Sequence, residues 1–295
     1  MPADLLNETS NIYTVQRPAC QSLPIIFSSP HSGQNYPQEL LDQTSLKLRK
    51  LRSLEDPYVD ELFGHVTELG APLIKAEFPR AYLDLNREPF ELDPKIIHPN
   101  LPTYANSESL RVKGGLGTIP RIVADGSAIY KKPILLADAL ARIKTYHAPY
   151  HAKLAELINA TRDKFGFAIL LDCHSMPSSS NIYKNKSMAD IVLGNRHNSS
   201  CAPQITDTVA TAFKSQGFSV QLNHPYAGGY ITEHHGAPKS DIHAIQIEIN
   251  RNLYMDQITY EKTQNFNTLK EKIKSIIFIL AERYGDIEAI PFAAE

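Results

Sequence analysis

Three apolar runs, each turning polar at its carboxyl end, constrain this chain more than any other feature. Phe167–Leu171 is wholly apolar and is followed at once by Asp172, Cys173, His174 and Ser175. Such a run predicts a strand buried on both faces, as in a parallel sheet. Pro24–Ser29 (PIIFSS) exits in the same way into Pro30, His31, Ser32 and Gly33. Ala244–Asn250 (AIQIEIN) carries Glu248 and leads into Arg251. In open α/β sheets, ligands bind just beyond the carboxyl ends of the strands. Two histidines and a glutamate delivered there point to metal-dependent hydrolysis.

The rest of the chain alternates helical and strand patterns. Residues 1–22 read as an arm or a short edge strand, and 23–295 as one catalytic domain. Gln38–Leu51 has apolar residues at helical spacing. Ser53, with Asp56 three residues on, resembles a capping box for a second helix that Gly70 ends. Ala71–Phe78 and Ala81–Leu85 read as strands, the second running into Asn86 and Arg87. Residues 88–126 show no sustained period, and a loop of that length is usually a lid or binding loop. Lys131–Phe165 reads as one long helix or two. Ser175–Lys186 reads as a loop, Ala189–Gly194 as a strand, Ala202–Gln216 as a helix and Phe218–Leu222 as a short strand. A second long loop spans Asn223–Asp241, and Ile258–Tyr284 closes the chain as an amphipathic helix. The pattern predicts a single α/β domain with a central mixed, mostly parallel sheet flanked by helices.

Composition excludes several functions. At 295 residues with a formal net charge of -2, the chain has no basic footprint for nucleic acid or an anionic membrane. No apolar run reaches the roughly 18 residues of a spanning helix. The amino terminus has neither a basic start nor an apolar core, so no signal peptide is expected. Cys20, Cys173 and Cys201 are scattered and lack a CxxC pair, which suits a reducing cytoplasm rather than a disulfide scaffold. Ser32 and Ser175 sit in no GxSxG elbow. No GxGxxG follows the first strand. Cys173 and His174 are adjacent in a strand and point opposite ways, which disfavours thiol chemistry. Oligomeric state is open.

His31 and His174 are candidate zinc ligands, with Asp56, Glu55 or Asp172 as the carboxylate that completes a three-ligand catalytic set. The plain alternative is a hydrogen-bonding histidine at each strand end. The same donors also suit Fe(II), Mn(II) or Co(II). Glu248 lies between Ile247 and Ile249 and faces away from both, so it is buried and needs either a task or an ion pair with Arg251. As a partly desolvated carboxylate it would suit a general base. Arg87, Arg121 and Arg80 are candidates for gripping a carboxylate in a bidentate fork, although surface arginine is the commoner fate. Tyr226 and Tyr230 flank a flexible glycine pair and would wall the pocket. His234 and His235 lie in the same loop, where a solvated turn is the plain reading for at least one.

Taken together, SSPHSGQNYP, DPYVDELF, AYLDLNREP, GTIPR, YHAPYHAKL, LLDCHSMPS, ADIVLGNRHNSSCAP, NHPYAGGYIT and IQIEINRNLYMD resemble the N-formylglutamate amidohydrolase family, over about Leu23 to Asp256. The resemblance implies a zinc-carboxypeptidase-like α/β fold related to aspartoacylase and succinylglutamate desuccinylase. It implies a hydrolase that releases formate and glutamate from N-formyl-L-glutamate in histidine degradation, or that acts on another small anionic N-acyl amino acid. A non-catalytic relative is the remaining alternative. His31 and His174 would bind zinc, Glu248 would be the general base, and Asn86 and Arg87 would hold a substrate carboxylate, with Arg121 as a second clamp. One departure stands out: the related deacylases take His and Glu from an HxxE turn, whereas Gln34 occupies that position here. The resemblance then favours Asp56 as third ligand over Glu55 and Asp60.

Overall fold

Eight strands form one mixed sheet in the computed structural model, which describes residues 7–178 and 188–285. Most of the loop expected at Ser175–Lys186 lies outside those residues, as do the first six and last ten of the chain. The sheet strands are β1 (Glu8–Thr9), β2 (Tyr13–Gln16), β3 (Ile25–Ser29), β4 (Leu73–Ala76), β7 (Ala168–Met176), β8 (Ile191–Gly194), β9 (Val220–Leu222) and β10 (Ile242–Asn250). A separate two-stranded pair joins β5 (Ile97–His98) to β6 (Ile134–Leu135). Across the main sheet the order is β1-β2-β4-β3-β7-β10-β8-β9. The central strands β4, β3, β7 and β10 are parallel to one another, and the flanking β2 and β8 run against them.

Register turns the three apolar runs into a site. In neighbouring rows of β3, β7 and β10, Ser28 is level with Asp172, which is level with Gln246; one row on, His174 is level with Glu248. Side chains of parallel partners share a face, so these polar groups form a stripe at the carboxyl end of the sheet. On that face the opposite end is apolar, with Ile26, Leu170 and Ala244 under Tyr150, Leu154 and Ile158. The other face carries Phe27, Leu171, Cys173, Ile245, Ile247 and Ile249 into a second apolar layer. Each fully buried aliphatic or aromatic side chain contributes about 1.5–3 kcal/mol. The apolar layers thus fix the register that delivers the polar stripe.

The helices are α1 (Gln38–Gln43), α2 (Leu48–Leu51), α3 (Val59–Leu62), α4 (Leu110–Lys113), α5 (Leu136–Arg142), α6 (Ala148–Phe165), α7 (Pro203–Ser215), α8 (Tyr230–His235) and α9 (Phe266–Tyr284). Helices α3, α7 and α9 cover one face of the sheet, and α6 covers the other. A π-helical turn at Ile143–His147 joins α5 to α6. Pro149 lacks the N–H that an α-helix would direct to Thr145, which accounts for the wider turn there. No helix of the described residues is long and apolar enough to cross a membrane.

Several expected elements differ. The helix expected from Ser53 is a 3-10 turn at Arg52–Leu54, then α3, then a 3-10 turn at Gly64–Thr67. Ser53 donates to the Lys50 carbonyl instead of capping. Pro57 disfavours helical backbone at Asp56, and Tyr58 adopts φ 65°, so Asp56 projects from a link rather than a helix. Ala81–Leu85 is not a strand. Its backbone is held by turn and loop partners, Tyr82 N to Pro79 O and Asp84 N to Thr118 O. Ala81 to Asn86 are all buried, without the alternation of a half-covered strand. The helix expected over Gln38–Leu51 breaks at Thr44, which bridges to Tyr130. The Asn223–Asp241 loop contains α8, and β7 continues past Asp172, so His174 lies in the strand.

Candidate metal centre

Three ligand atoms converge at the carboxyl end of the sheet. His31 comes from the turn after β3, His174 from β7 and Asp56 from the link before α3. His31 Nδ1 and His174 Nδ1 are 3.1 Å apart, and Asp56 Oδ2 lies 3.3 Å and 3.0 Å from them. All three residues are buried. Ligands about 2.0–2.1 Å from a tetrahedral ion stand roughly 3.3 Å from one another, so the spacing fits one ion. The outer nitrogens are also set. His31 Nε2 is 2.8 Å from Asp84 Oδ1, and His174 Nε2 is 2.8 Å from Asp172 Oδ2. These carboxylates fix both rings with their Nδ1 atoms inward, the arrangement that supports metal-bound histidine. Three electron-rich atoms facing one point need a cation or a proton between them.

Asp56 is oriented from behind. Its Oδ1 accepts from Arg251 NH2 at 2.9 Å and from Ser175 Oγ at 3.3 Å, which leaves Oδ2 for the rings. The other carboxylates weighed from sequence face elsewhere. Glu55 accepts from Tyr36 and Arg52, Asp60 from Lys75, and Asp172 meets the outer nitrogen of His174. Burial opposes charge on Asp56 and Asp84. Asp56 is nevertheless held well below the usual carboxylate range by His174 and His31, and Asp84 by Arg80, Arg87 and His31. Burial likewise opposes charge on His174, but Asp172 and Asp56 hold it well above the usual imidazole range.

Glu248 lines the same cavity, directly level with His174 across β7 and β10. Gln246 Nε2 donates to its Oε1 at 2.7 Å. Burial pushes its carboxyl up to about 7; His174 and Arg80 pull it down, and Asp56 pushes it further up. A carboxylate that titrates near neutrality can both take and return a proton.

The cavity is about 330 Å³, at the small end for ligand pockets. Asn86, Arg87 and Tyr226 line it, as do Arg80, Arg111 and Arg251, while Arg121 and Tyr230 do not. Arg121 Nε donates to Asp93 at 2.8 Å. Tyr230 stacks on His234 with its ring 4.9 Å away. His234 is exposed and His235 buried. Arg251 is occupied by Ser175, Glu55 O and Asp56. Arg80 gives Nε to Asp84, Arg87 gives Nε to Leu116 O and NH1 to Asn86 O, and Arg111 approaches Glu91 at 3.5 Å. Arg80, Arg87 and Arg111, with Arg251, are the cations of the wall.

Asp84 and Arg111 were not legible beforehand. Asp84 belongs to a segment that reads as a strand, and Arg111 to a loop without period. Asp172 as a support for His174 had a signal, because residues two apart in a strand share a face.

A model of the N-formylglutamate amidohydrolase family matches residues 23–255. The chain is 30% identical to an N-formylglutamate deformylase of Pseudomonas putida over 275 residues, which is 89% of this chain and 95% of that protein. It is 27% identical to an N-formylglutamate deformylase of Pseudomonas aeruginosa over 238 residues, 80% of this chain and 83% of that protein. The crystal structure of N-formylglutamate amidohydrolase from Ralstonia eutropha JMP134 superposes with a TM-score of 0.87 at 32% identity, covering 93% of this chain and 99% of that one.

Proposed function

Because the chain belongs to the N-formylglutamate amidohydrolase family and is a hydrolase acting on an amide, we propose that it releases formate from N-formyl-L-glutamate with a zinc ion held by His31, Asp56 and His174. The convergence of those three ligand atoms beside Glu248 is the observation that carries the reading. His31, Asp56 and His174 would hold the ion, which would supply Lewis acidity for activating a water and polarising the formyl carbonyl.

The chain's own residues do the rest. Glu248 takes the proton of the attacking water and returns it to the departing amine, which leaves as glutamate. Its elevated proton affinity suits both transfers. Arg87 and Asn86 hold the α-carboxylate. Arg111, which lines the cavity, and not Arg121, which is paired with Asp93, is the cation for the side-chain carboxylate. A dianion enclosed in a small cavity needs both, because a buried unpaired carboxylate is costly. Arg80, which lines the cavity, would steady the negative charge that develops on the carbonyl oxygen. Tyr226 and the Pro225–Gly228 wall exclude water from one side.

Formate release from N-formyl-L-glutamate tests the proposal, assayed beside N-acetyl-L-glutamate, N-formyl-L-aspartate and N-formyl-L-glutamine, with chelator and zinc add-back. The expected result is zinc-restored turnover that favours N-formyl-L-glutamate. Preference for another acyl group would move the specificity and leave the mechanism intact. Chelator-resistant turnover by metal-free protein would remove the metal from the reaction.

A further inference from the structure

Behind the Asn86–Arg87 segment lies a layer of histidines that does not line the cavity. His147 closes the π-helical turn, and His151 follows four residues later on the same face of α6. Their rings stack 4.3 Å apart. His147 Nε2 donates to the Arg87 carbonyl at 2.9 Å, and His151 Nε2 donates to the Leu85 carbonyl at 2.9 Å. The two bonds bracket Asn86. The tautomers follow from these partners. His151 has its proton on Nε2, so its Nδ1 is an acceptor, and His235 Nε2 donates to it at 3.0 Å. His235 lies on α8, whose first turn presents the Ile231 N–H to Asn86 Oδ1 at 2.8 Å. Asn86 is thus held through its flanking carbonyls by the His147 and His151 rings, and through its side chain by α8 at Oδ1 and by Gln246 Oε1, to which Nδ2 donates at 3.1 Å.

The layer has a physical reason. Residues 84–87 are not in a strand, so their carbonyls have no ladder partners, and a buried carbonyl without a partner is rare. Neutral imidazoles can supply the donors. Burial pulls His147 down to about 4 and His235 to about 3, and burial with its neighbouring histidines takes His151 well below the usual range. All three are therefore uncharged at neutral pH.

We propose that His147 and His151 are positioning residues that hold the Leu85 and Arg87 carbonyls and so aim the side chains of Asn86 and Arg87 at the substrate carboxylate. The proposal rests on the function above only for the identity of that carboxylate.

The test compares His147→Leu, which loses the donor, with His147→Gln, whose Nε2 can replace it. Steady-state kinetics on N-formyl-L-glutamate are measured together with bound metal and amide hydrogen exchange. Loss of one such hydrogen bond is expected to raise KM about tenfold in His147→Leu, with kcat and metal content close to wild type. The Ile231 amide should exchange about tenfold faster while β7 amides keep their protection. His147→Gln should restore KM and exchange together. A folded His147→Leu protein with unchanged KM and unchanged Ile231 exchange would overturn the proposal. So would a Gln variant as impaired as the Leu variant, which would indicate packing alone. Should wild type fail to turn over N-formyl-L-glutamate, the functional reading falls, and the exchange comparison still decides the positioning role.

Discussion

Glu248 is separated from ordinary strand carboxylates by where its charge would sit. It shares a row with His174, and its neighbours Ile247 and Ile249 fill the opposite face. Glu248→Gln keeps the shape and removes the proposed base, so kcat should fall by about 10²–10⁴ while metal content is retained. The protonation sign can be checked separately. A carboxyl raised to about 7 is largely protonated below that pH and competent as a base above it. In metal-free protein, carbon-13 NMR should show Glu248 titrating near neutrality. A cation at the three ligand atoms should lower that value and extend base competence to lower pH. An unshifted titration on saturation with zinc would place the ion elsewhere. Asp84 and Asp172 act one step further out. Asp84→Asn or Asp172→Asn should weaken metal binding about 10–100-fold, measured by competition with a chromogenic chelator. Activity at saturating zinc should fall much less.

At the scale of elements, close approaches shape the cavity. A Cβ on Gly194 in β8 would lie 2.6 Å from the backbone of Ala227 and Gly228, in the segment that walls the cavity. Gly194→Ala must push that wall away from the sheet. It should cost about 1–3 kcal/mol in urea unfolding, as overpacking does, and raise KM through the displaced Tyr226. The same scale shows what could be read in sequence. Strands β3, β7 and β10 were legible because burial on both faces leaves continuous apolar runs, and their polar exits follow from chain direction. The Asp84–Arg87 segment was not, since Ala81–Leu85 has a strand's composition but its backbone bonds go to turns and to Thr118. Asp56 was visible as a residue, but its helix was not formed, because Pro57 and the left-handed Tyr58 keep it in a link. Arg121 is marked in sequence by the glycine-rich segment it closes, whereas nothing marks Arg111. Only the packing of the long loop turns one towards Asp93 and the other towards the cavity.

For the whole molecule, the centre is a tie between distant parts of the chain. Asp56 is 25 residues from His31 and 118 from His174, and Arg251 reaches Asp56 from 195 residues away. The site therefore concentrates buried like charges, Asp56, Asp84 and Asp172, against Arg80, Arg251 and the two rings. Buried carboxylates without full compensation oppose folding. A divalent cation at the three ligand atoms would change that balance and would bind only when all three segments are in place. Its binding energy is then folding energy, equal to RT ln(1 + [M]/Kd), or about 4 kcal/mol at a thousandfold excess over Kd. Thermal unfolding should accordingly shift downward on chelation and return with zinc. Glu248→Gln, which keeps all three ligands, should show the same shift. His174→Ala should show none, and its melting temperature in chelator should match that in zinc. A wild-type curve indifferent to chelation, in protein whose metal loss is verified by elemental analysis, would mean that the centre is complete without an ion. His31 and His174 would then act on the substrate directly, as a proton-sharing pair held between Asp84 and Asp172.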